Sequence, residues 1–463
     1  MTSATLPTPA DHTVPQAPAA VWVERLLWVF MMSFALDYRA SIARESGAGA
    51  GLDQLVFLAL ATGSSLGILL LGWPRLVIRP GAWILLLWGA FLAYMLTNAF
   101  LQGVPPGRSL RIILPLFLCF AGMINAHIAG CMGISPSRIV MPVLVASCTN
   151  VCWRIAHGFL GKGVTIETVR TQVQSPASNW IAAWIGCAIL LRPKFHPSLL
   201  IAIAVLFTGI FITVTRSLLF PIAASAIATS ACYLLGIRWG LFTWQELPRR
   251  ILPITAATAL VLFGVGFAAL ASPTLVSRWN ERLFHHSSDR NIKEDISVLT
   301  RKAEAEAIIE ILDKDPVHYL HGHGIGASYY WSSAYLPEIH QVFPKEEEIG
   351  IDIWFAGHSV WTYALFAGGI LALIGYLSII IATMIASLRC AHANATDPGP
   401  DQWLAFLPFV AACCLLSESA TSNPFDERLA GITFGIMAGL PQAFMVRASW
   451  LHTFIRPSPQ HPS

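Results

Sequence analysis

Residues 198–238 read SLLIAIAVLFTGIFITVTRSLLFPIAASAIATSACYLLGIR. Only Arg216 and the closing Arg238 carry charge in these 41 residues. A helix that crosses the hydrocarbon layer of a bilayer needs about 20 mostly apolar residues. The stretch holds two such runs back to back, 198–215 and 217–237, with Arg216 between them. A helix that is apolar all round belongs in lipid or in a large protein core. The reading is two consecutive membrane spans.

The rest of the chain repeats the pattern. Further apolar runs are centred in 23–38, 55–73, 82–101, 111–130, 139–160, 179–191, 251–271, 359–388, 403–417 and 429–446. Of the 463 residues 55% are hydrophobic and 12% charged, and the mean hydropathy is +0.61. A soluble domain carries about 25% charged residues. These values argue against a water-soluble enzyme, a disordered chain and a nucleic-acid binder together. The net charge of +3 is too small to mark a polyanion partner. The 16 Trp and 25 Phe suit a lipid-embedded chain with aromatic residues at its interfaces. The expected fold is an all-α polytopic membrane protein with about 12 transmembrane helices and one large periplasmic loop containing short helices.

Lys/Arg bias in short loops sets the orientation. With the N-terminus inside, the inner loops and tail hold eleven: Arg75, Arg79, Arg138, Arg192, Lys194, Arg238, Arg249, Arg250, Arg389, Arg447 and Arg456. The outer short loops hold seven: Arg39, Arg44, Arg108, Arg111, Lys162, Arg170 and Arg428. Both termini are then cytoplasmic. Residues 1–20, rich in Pro, Ala and Thr, lack the basic start and short apolar run of a signal peptide and read as a flexible cytoplasmic tail. Residues 21–271 carry spans one to nine, 272–357 the periplasmic loop region, 358–446 a re-entry helix and the last three spans, and 447–463 a second cytoplasmic tail. The long connection from Ala271 to Gly357 runs 87 residues. Its Trp, Tyr and Ile clusters and a helix-like stretch from Thr300 to Asp313 speak for order. Gly368-Gly369 should divide the segment after it into a short and a longer helix.

Chemistry is concentrated at the outer side. Arg216 sits at the outer end of the seventh span, either a functional charge at membrane depth or an interfacial Arg that snorkels. Arg154, inside the fifth span, reads equally as a substrate contact or as the partner of a buried carboxylate. Arg301 is expected to open the loop helix, where a cation opposes the macrodipole, so a job other than helix stability is suggested. The run His321-Gly322-His323-Gly324-Ile325-Gly326 lets backbone approach a ligand or pack tightly. His358 stands where the loop re-enters the membrane, as a general base near neutral pH or as a helix-capping His. Nothing completes a metal site around His321 and His323. Asp313-Lys314-Asp315 has a metal-diphosphate spacing but falls at a helix end and reads as solvated. The nine Cys lie mostly in apolar runs and read as core filling. No cofactor or metal is expected.

The order of these features resembles the O-antigen ligase and O-antigen polymerase superfamily. Four elements carry the resemblance: Thr215-Arg216-Ser217 at the outer end of a mid-chain span; Arg301 in one large outer loop; the turn Gly322, Gly324, Gly326; and His358-Ser359 leading to Gly368-Gly369. Two positions depart from the usual pattern, with Ser359 where Asn is common after the His and Thr300 where Gly is common before the loop Arg. The resemblance implies a GT-C-like, metal-independent, inverting glycosyltransferase of the bacterial inner membrane with its site facing the periplasm. Its donor is a glycan on undecaprenyl diphosphate, and membrane lipids surround it. His358 takes the proton of the acceptor hydroxyl, while Arg216 and Arg301 hold the leaving diphosphate. Arg154, Ser217, Gly324, Gly326 and Ser359 are the expected substrate-binding residues. Transfer to lipid A-core oligosaccharide, as an O-antigen ligase, is the leading reading. A polymerase and a protein O-oligosaccharyltransferase share the donor and differ in the acceptor. A transporter of lipid-linked glycans is the competitor of another class, disfavoured by the lack of repeats and by charges gathered at the outer edge.

Overall fold

The computed structural model describes residues 18–37, 52–75, 82–160, 175, 177–192, 194, 196–213, 218–271, 276–277, 279–280, 296–332, 334–335, 354–395, 399–420 and 422–445. Its helices, in chain order, are α1 (Pro18–Met32), α2 (Leu52–Gly72), α3 (Trp83–Leu101), α4 (Pro106–Cys131), α5 (Pro136–Leu160), α6 (Ser178–Leu190), α7 (Ser198–Thr213), α8 (Leu219–Arg238), α9 (Leu247–Ala271), α10 (Ile296–Asp313), α11 (His318–His321), α12 (Val360–Ala393), α13 (Leu407–Ser419) and α14 (Arg428–Gly439). Among the described residues the only β pairing is one isolated bridge between Tyr329 and Trp354.

Seven described helical segments are long and apolar enough to cross a membrane: Leu52–Gly72, Trp83–Leu101, Pro106–Cys131, Pro136–His157, Leu219–Arg238, Val360–Ala393 and Gln402–Ser419. The other apolar runs are also helical, in α1, α6, α7, α9 and α14. At 1.5 Å per residue α6 is only about 20 Å long, short of a bilayer core. It is compensated by burial, with Trp180, Ile181, Ala183 and Trp184 all enclosed. The outside of the bundle is apolar where a soluble protein would be polar: Leu70 is 77% exposed and Leu270 is 85% exposed. Side chains of that kind are stable facing lipid.

Lipid supplies no hydrophobic drive between helices, so close backbone approach has to hold them together. Helices α4 and α14 show the device. A β-carbon added to Gly122 would lie 2.8 Å from the Ile432 carbonyl oxygen, and one on Gly439 would lie 2.5 Å from that of Met123. Gly431 and Gly435 press the same way on Pro115 and Cys119. Spaced by four, Gly431, Gly435 and Gly439 form one face of a helix.

The segment ends sort into two groups. At one end Arg154 meets Glu427, Arg428 meets Asp37, and Asn423 donates to the Gly357 carbonyl. At the other Arg138 meets Glu24, Ser137 meets Asp401, and the Arg192 guanidinium lies over Trp403. Each of these contacts joins segment ends that the sequence reading puts on the same side.

The structure changes one sequence argument. The loop helix α10 begins at Ile296, four residues before Thr300, so Arg301 is its sixth residue. Past the first turn the macrodipole is weak, and the supposed mismatch of Arg301 with a helix start is withdrawn. The division of the long segment at Gly368-Gly369 is present: Gly369 breaks α12 with φ 65° and ψ −161°.

Candidate functional site

The peptide 354–359 enters α12 under tight constraint. Tyr329 and Trp354 exchange backbone hydrogen bonds of 3.0 and 2.9 Å. The Tyr363 hydroxyl donates to the Phe355 carbonyl at 2.6 Å and accepts from Gly326 N–H at 3.1 Å. The Tyr329 hydroxyl donates to Ala356 O at 3.2 Å. His358 follows with its backbone already placed.

Its side chain is placed by a residue the sequence reading passed over. Glu304, 1% exposed, projects from α10 at the start of α12. Its Oε2 accepts the His358 N–H at 2.8 Å and lies 2.9 Å from His358 Nδ1. Its Oε1 accepts the Thr362 hydroxyl at 3.3 Å and faces the Ser359 N–H at 3.5 Å. Ser359 is the N-cap residue of α12 but makes no side-chain cap bond. Glu304 does that work from another helix, and a carboxylate there also suits the helix dipole. Gly357 is required beside it, since a β-carbon would lie 2.7 Å from Glu304 Oε1.

A carboxylate only accepts, so His358 carries its proton on Nδ1 toward Glu304. Nε2 is then the basic atom, the arrangement of a positioned general base. Two indoles flank the ring: Trp354 and Trp331 lie 4.7 and 6.0 Å from it, centroid to centroid, and stack on each other at 4.8 Å. Arg301, half-buried, precedes Glu304 by three residues and shares its face of α10. The helix that orients the histidine thus also carries the expected phosphate-binding arginine.

The other expected residues fall differently. Arg216 and Ser217 lie outside the described residues. Gly324 and Gly326 are buried, and each has a packing reason: their β-carbons would meet Ala99 Cα at 2.8 Å and Ser109 N at 3.1 Å. Of the glycine turn, Gly322 has φ 69° and lies against Phe366, Ala367 and Gly368, with His323 N–H donating to Phe366 O at 2.7 Å. Tyr94 and Asn98 hold the same junction, donating to Gly368 O at 2.7 Å and Ala367 O at 3.1 Å. The turn therefore clamps the break in α12 and sets the angle at which its His358 end leaves the bundle.

Arg154 is buried and pairs with a part-buried carboxylate. It is 1% exposed, with Nη2 2.7 Å from Glu427 Oε2 and Nε donating to Asp37 O at 3.2 Å. The Asn423 bond to Gly357 O links that cluster to the site.

Beside the glycine turn three imidazoles gather. His318 and His323 stack at 3.9 Å, and His321 lies 5.1 Å from His318. Burial, then His318 and His321, push His323 down to about 4, so its ring is neutral at pH 7. His318 Nδ1 is 3.1 Å from Asp315, and the Tyr319 hydroxyl donates to Asp313 at 2.7 Å. Among the described residues no His, Cys, Asp and Glu group has the arrangement to hold a metal ion.

Glu304 was within reach of the sequence, one turn beyond Arg301 on a helix already expected. Arg108, whose guanidinium lies 4.2 Å over the Phe355 ring, had been counted only as a loop charge. No family model matches the chain, and no curated protein does.

Proposed function

We propose that the protein transfers a glycan from undecaprenyl diphosphate to an acceptor hydroxyl at the periplasmic face of a bacterial inner membrane, with lipid A-core oligosaccharide as the favoured acceptor. The observation that carries this reading is His358 oriented by Glu304 on the helix that bears Arg301 one turn earlier. The acceptor oxygen attacks the anomeric carbon from the side opposite the diphosphate. The new C–O bond forms as the bond to the diphosphate oxygen breaks, inverting the centre. The acceptor proton passes to His358 Nε2, and Glu304 offsets the imidazolium charge. Diphosphate departs as an anion, which needs stabilising rather than protonating. Arg301 and Arg216 supply forked, permanently charged donors for it. On this reading the helical runs make about 12 spans and the lipid-facing grooves take the polyprenyl tail.

The test of the reaction uses purified protein with polyprenyl-linked glycan. Lipid A-core, a second donor molecule and an acceptor protein are supplied in separate reactions. Sugar gained by lipid A-core is the expected result. Sugar gained only by the second donor makes the protein a polymerase. Movement of donor across a vesicle membrane with no new linkage replaces the transferase by a transporter.

Sidedness has its own check. Lys314 and Lys194 are both exposed and belong to opposite end groups. In cells with a permeabilised outer membrane, Lys314→Cys should react with an impermeant maleimide and Lys194→Cys should not. The reverse pattern would place His358 in the cytoplasm and end the proposal.

A further inference from the structure

A cleft of about 280 Å³ lies between the α3–α4 turn and the glycine turn. Gln102, Arg108, Ile311, His323, Ser328 and Phe366 are among the residues that line it. It is at the small end of ligand sites, about 300–1,000 Å³, and suits one sugar residue better than a polyprenyl chain. Arg108 is the only permanently charged residue of its lining. No carboxylate pairs with Arg108 among the described residues; its guanidinium rests on the Phe355 ring at 4.2 Å. A half-buried guanidinium that is held in place without a counter-ion is a site for an oxyanion, which its planar fork binds in two-pronged fashion. Neutral His323 has an Nε2 atom with no hydrogen-bond partner, and Gln102 and Ser328 add neutral hydrogen-bonding groups. Such a mixture fits a sugar bearing one anionic substituent.

The cleft is also well placed. Ile311 lies seven residues beyond Glu304, two turns along the same face of α10, or about 10.5 Å. Phe355, the ring under Arg108, precedes His358 by three residues. A saccharide seated in the cleft can therefore extend to the histidine.

We propose that this cleft is an acceptor subsite in which Arg108 engages the phosphate monoester of a sugar residue while a hydroxyl further along the acceptor reaches His358. The acceptor role rests on the transfer reading above; the binding does not. The probe is glucose 6-phosphate, titrated calorimetrically into the purified full-length protein in nanodiscs, with glucose, inorganic phosphate and dodecyl phosphate titrated separately. Saturable binding of glucose 6-phosphate is expected, with glucose and inorganic phosphate both weaker. Losing one hydrogen bond to a charged group, Arg108→Gln should bind roughly 10- to 150-fold more weakly. Arg108→Lys should fall between, and Ser328→Trp, which fills the exposed rim and leaves Arg108 intact, should also weaken binding. No saturable binding by the parent, or equal binding by properly folded Arg108→Gln and Ser328→Trp, overturns the subsite. Inorganic phosphate bound as tightly as glucose 6-phosphate overturns its saccharide character. Preferred dodecyl phosphate assigns the cleft to a lipid headgroup and overturns the acceptor role. Binding that persists in a protein shown not to transfer sugar counts against the transferase reading and leaves the site standing.

Discussion

His358→Ala is expected to slow glycan transfer by roughly 10²–10⁴-fold, the usual contribution of a positioned general base. The backbone around position 358 is held by Tyr329, Tyr363 and Asn423, none of which needs the imidazole. The variant should therefore fold and reach the membrane at parental levels. Glu304→Gln tests the other half of the pair. Glutamine keeps the size and one acceptor oxygen but loses the charge that offsets the imidazolium. A hydrogen bond between charged groups is worth about 1.5–3 kcal/mol, so a loss of roughly 10- to 150-fold is expected. It should fall on turnover, since the imidazolium forms only as the proton moves, and leave KM for the donor close to parental. Because Glu304 acts through His358, the double variant His358→Ala/Glu304→Gln should be no slower than His358→Ala alone. Single-turnover rates at saturating donor decide the matter. A fully active His358→Ala, at equal protein level, removes the base; multiplicative losses in the double variant remove the link between the two side chains.

The helical character of the chain was legible because the bilayer dictates it. A run such as 198–215 has only helical solutions in lipid, where each backbone N–H and C=O needs an internal partner. The break in α12 was legible for a local reason, two adjacent glycines inside an overlong apolar run. The start of α10 was not: the reading began the helix at Thr300, although Asp295, a residue type favoured just before a helix, precedes Ile296 in the sequence, and the error displaced Arg301 from the second turn to the first. The site was half legible. His358 stands out as a titratable side chain where the loop re-enters the membrane, whereas Arg301 was singled out by a place at a helix start that it does not have and by the resemblance. Glu304 and Arg108 do not stand out, because an acidic residue on a loop helix and a basic one in a short loop are ordinary in composition. Their roles come from partners 54 residues away in one case and from the Phe355 ring in the other. The glycine turn was legible as a close approach, but whether toward a ligand or toward backbone depends on what packs there. Phe366, Ala367 and Gly368 answer that for Gly322.

Breaking the Arg154–Glu427 pair should cost stability before it costs chemistry. Arg154 is almost wholly enclosed and reaches Glu427 at 2.7 Å, with Asp37 O as a second partner at 3.2 Å. Removing one member of a fully buried ion pair commonly costs about 3–5 kcal/mol, and less where one partner keeps some exposure as Glu427 does, whereas replacing both by apolar residues is often neutral or stabilising. Arg154→Leu should therefore lower the thermal unfolding midpoint in detergent sharply, and Arg154→Leu/Glu427→Leu should recover much of the loss. The pH dependence follows from Glu427. Burial is the largest influence on its carboxyl and raises it to about 7, with Arg154 as the chief opposing one. Without Arg154 the folded-state value rises further, while the unfolded value stays near about 4.3. Between those values the folded protein holds a proton that the unfolded chain has released, so stability falls as pH rises. The deficit of Arg154→Leu should be smaller at pH 5.5, where Glu427 is neutral, and larger at pH 8, where the part-buried carboxylate must do without Arg154 or stay protonated against the pH. Melting curves of parent, single and double variants at the two pH values separate the two roles first read for this arginine. If Arg154→Leu melts with the parent at both pH values yet transfers no sugar, the guanidinium serves the substrate and the pair with Glu427 is incidental.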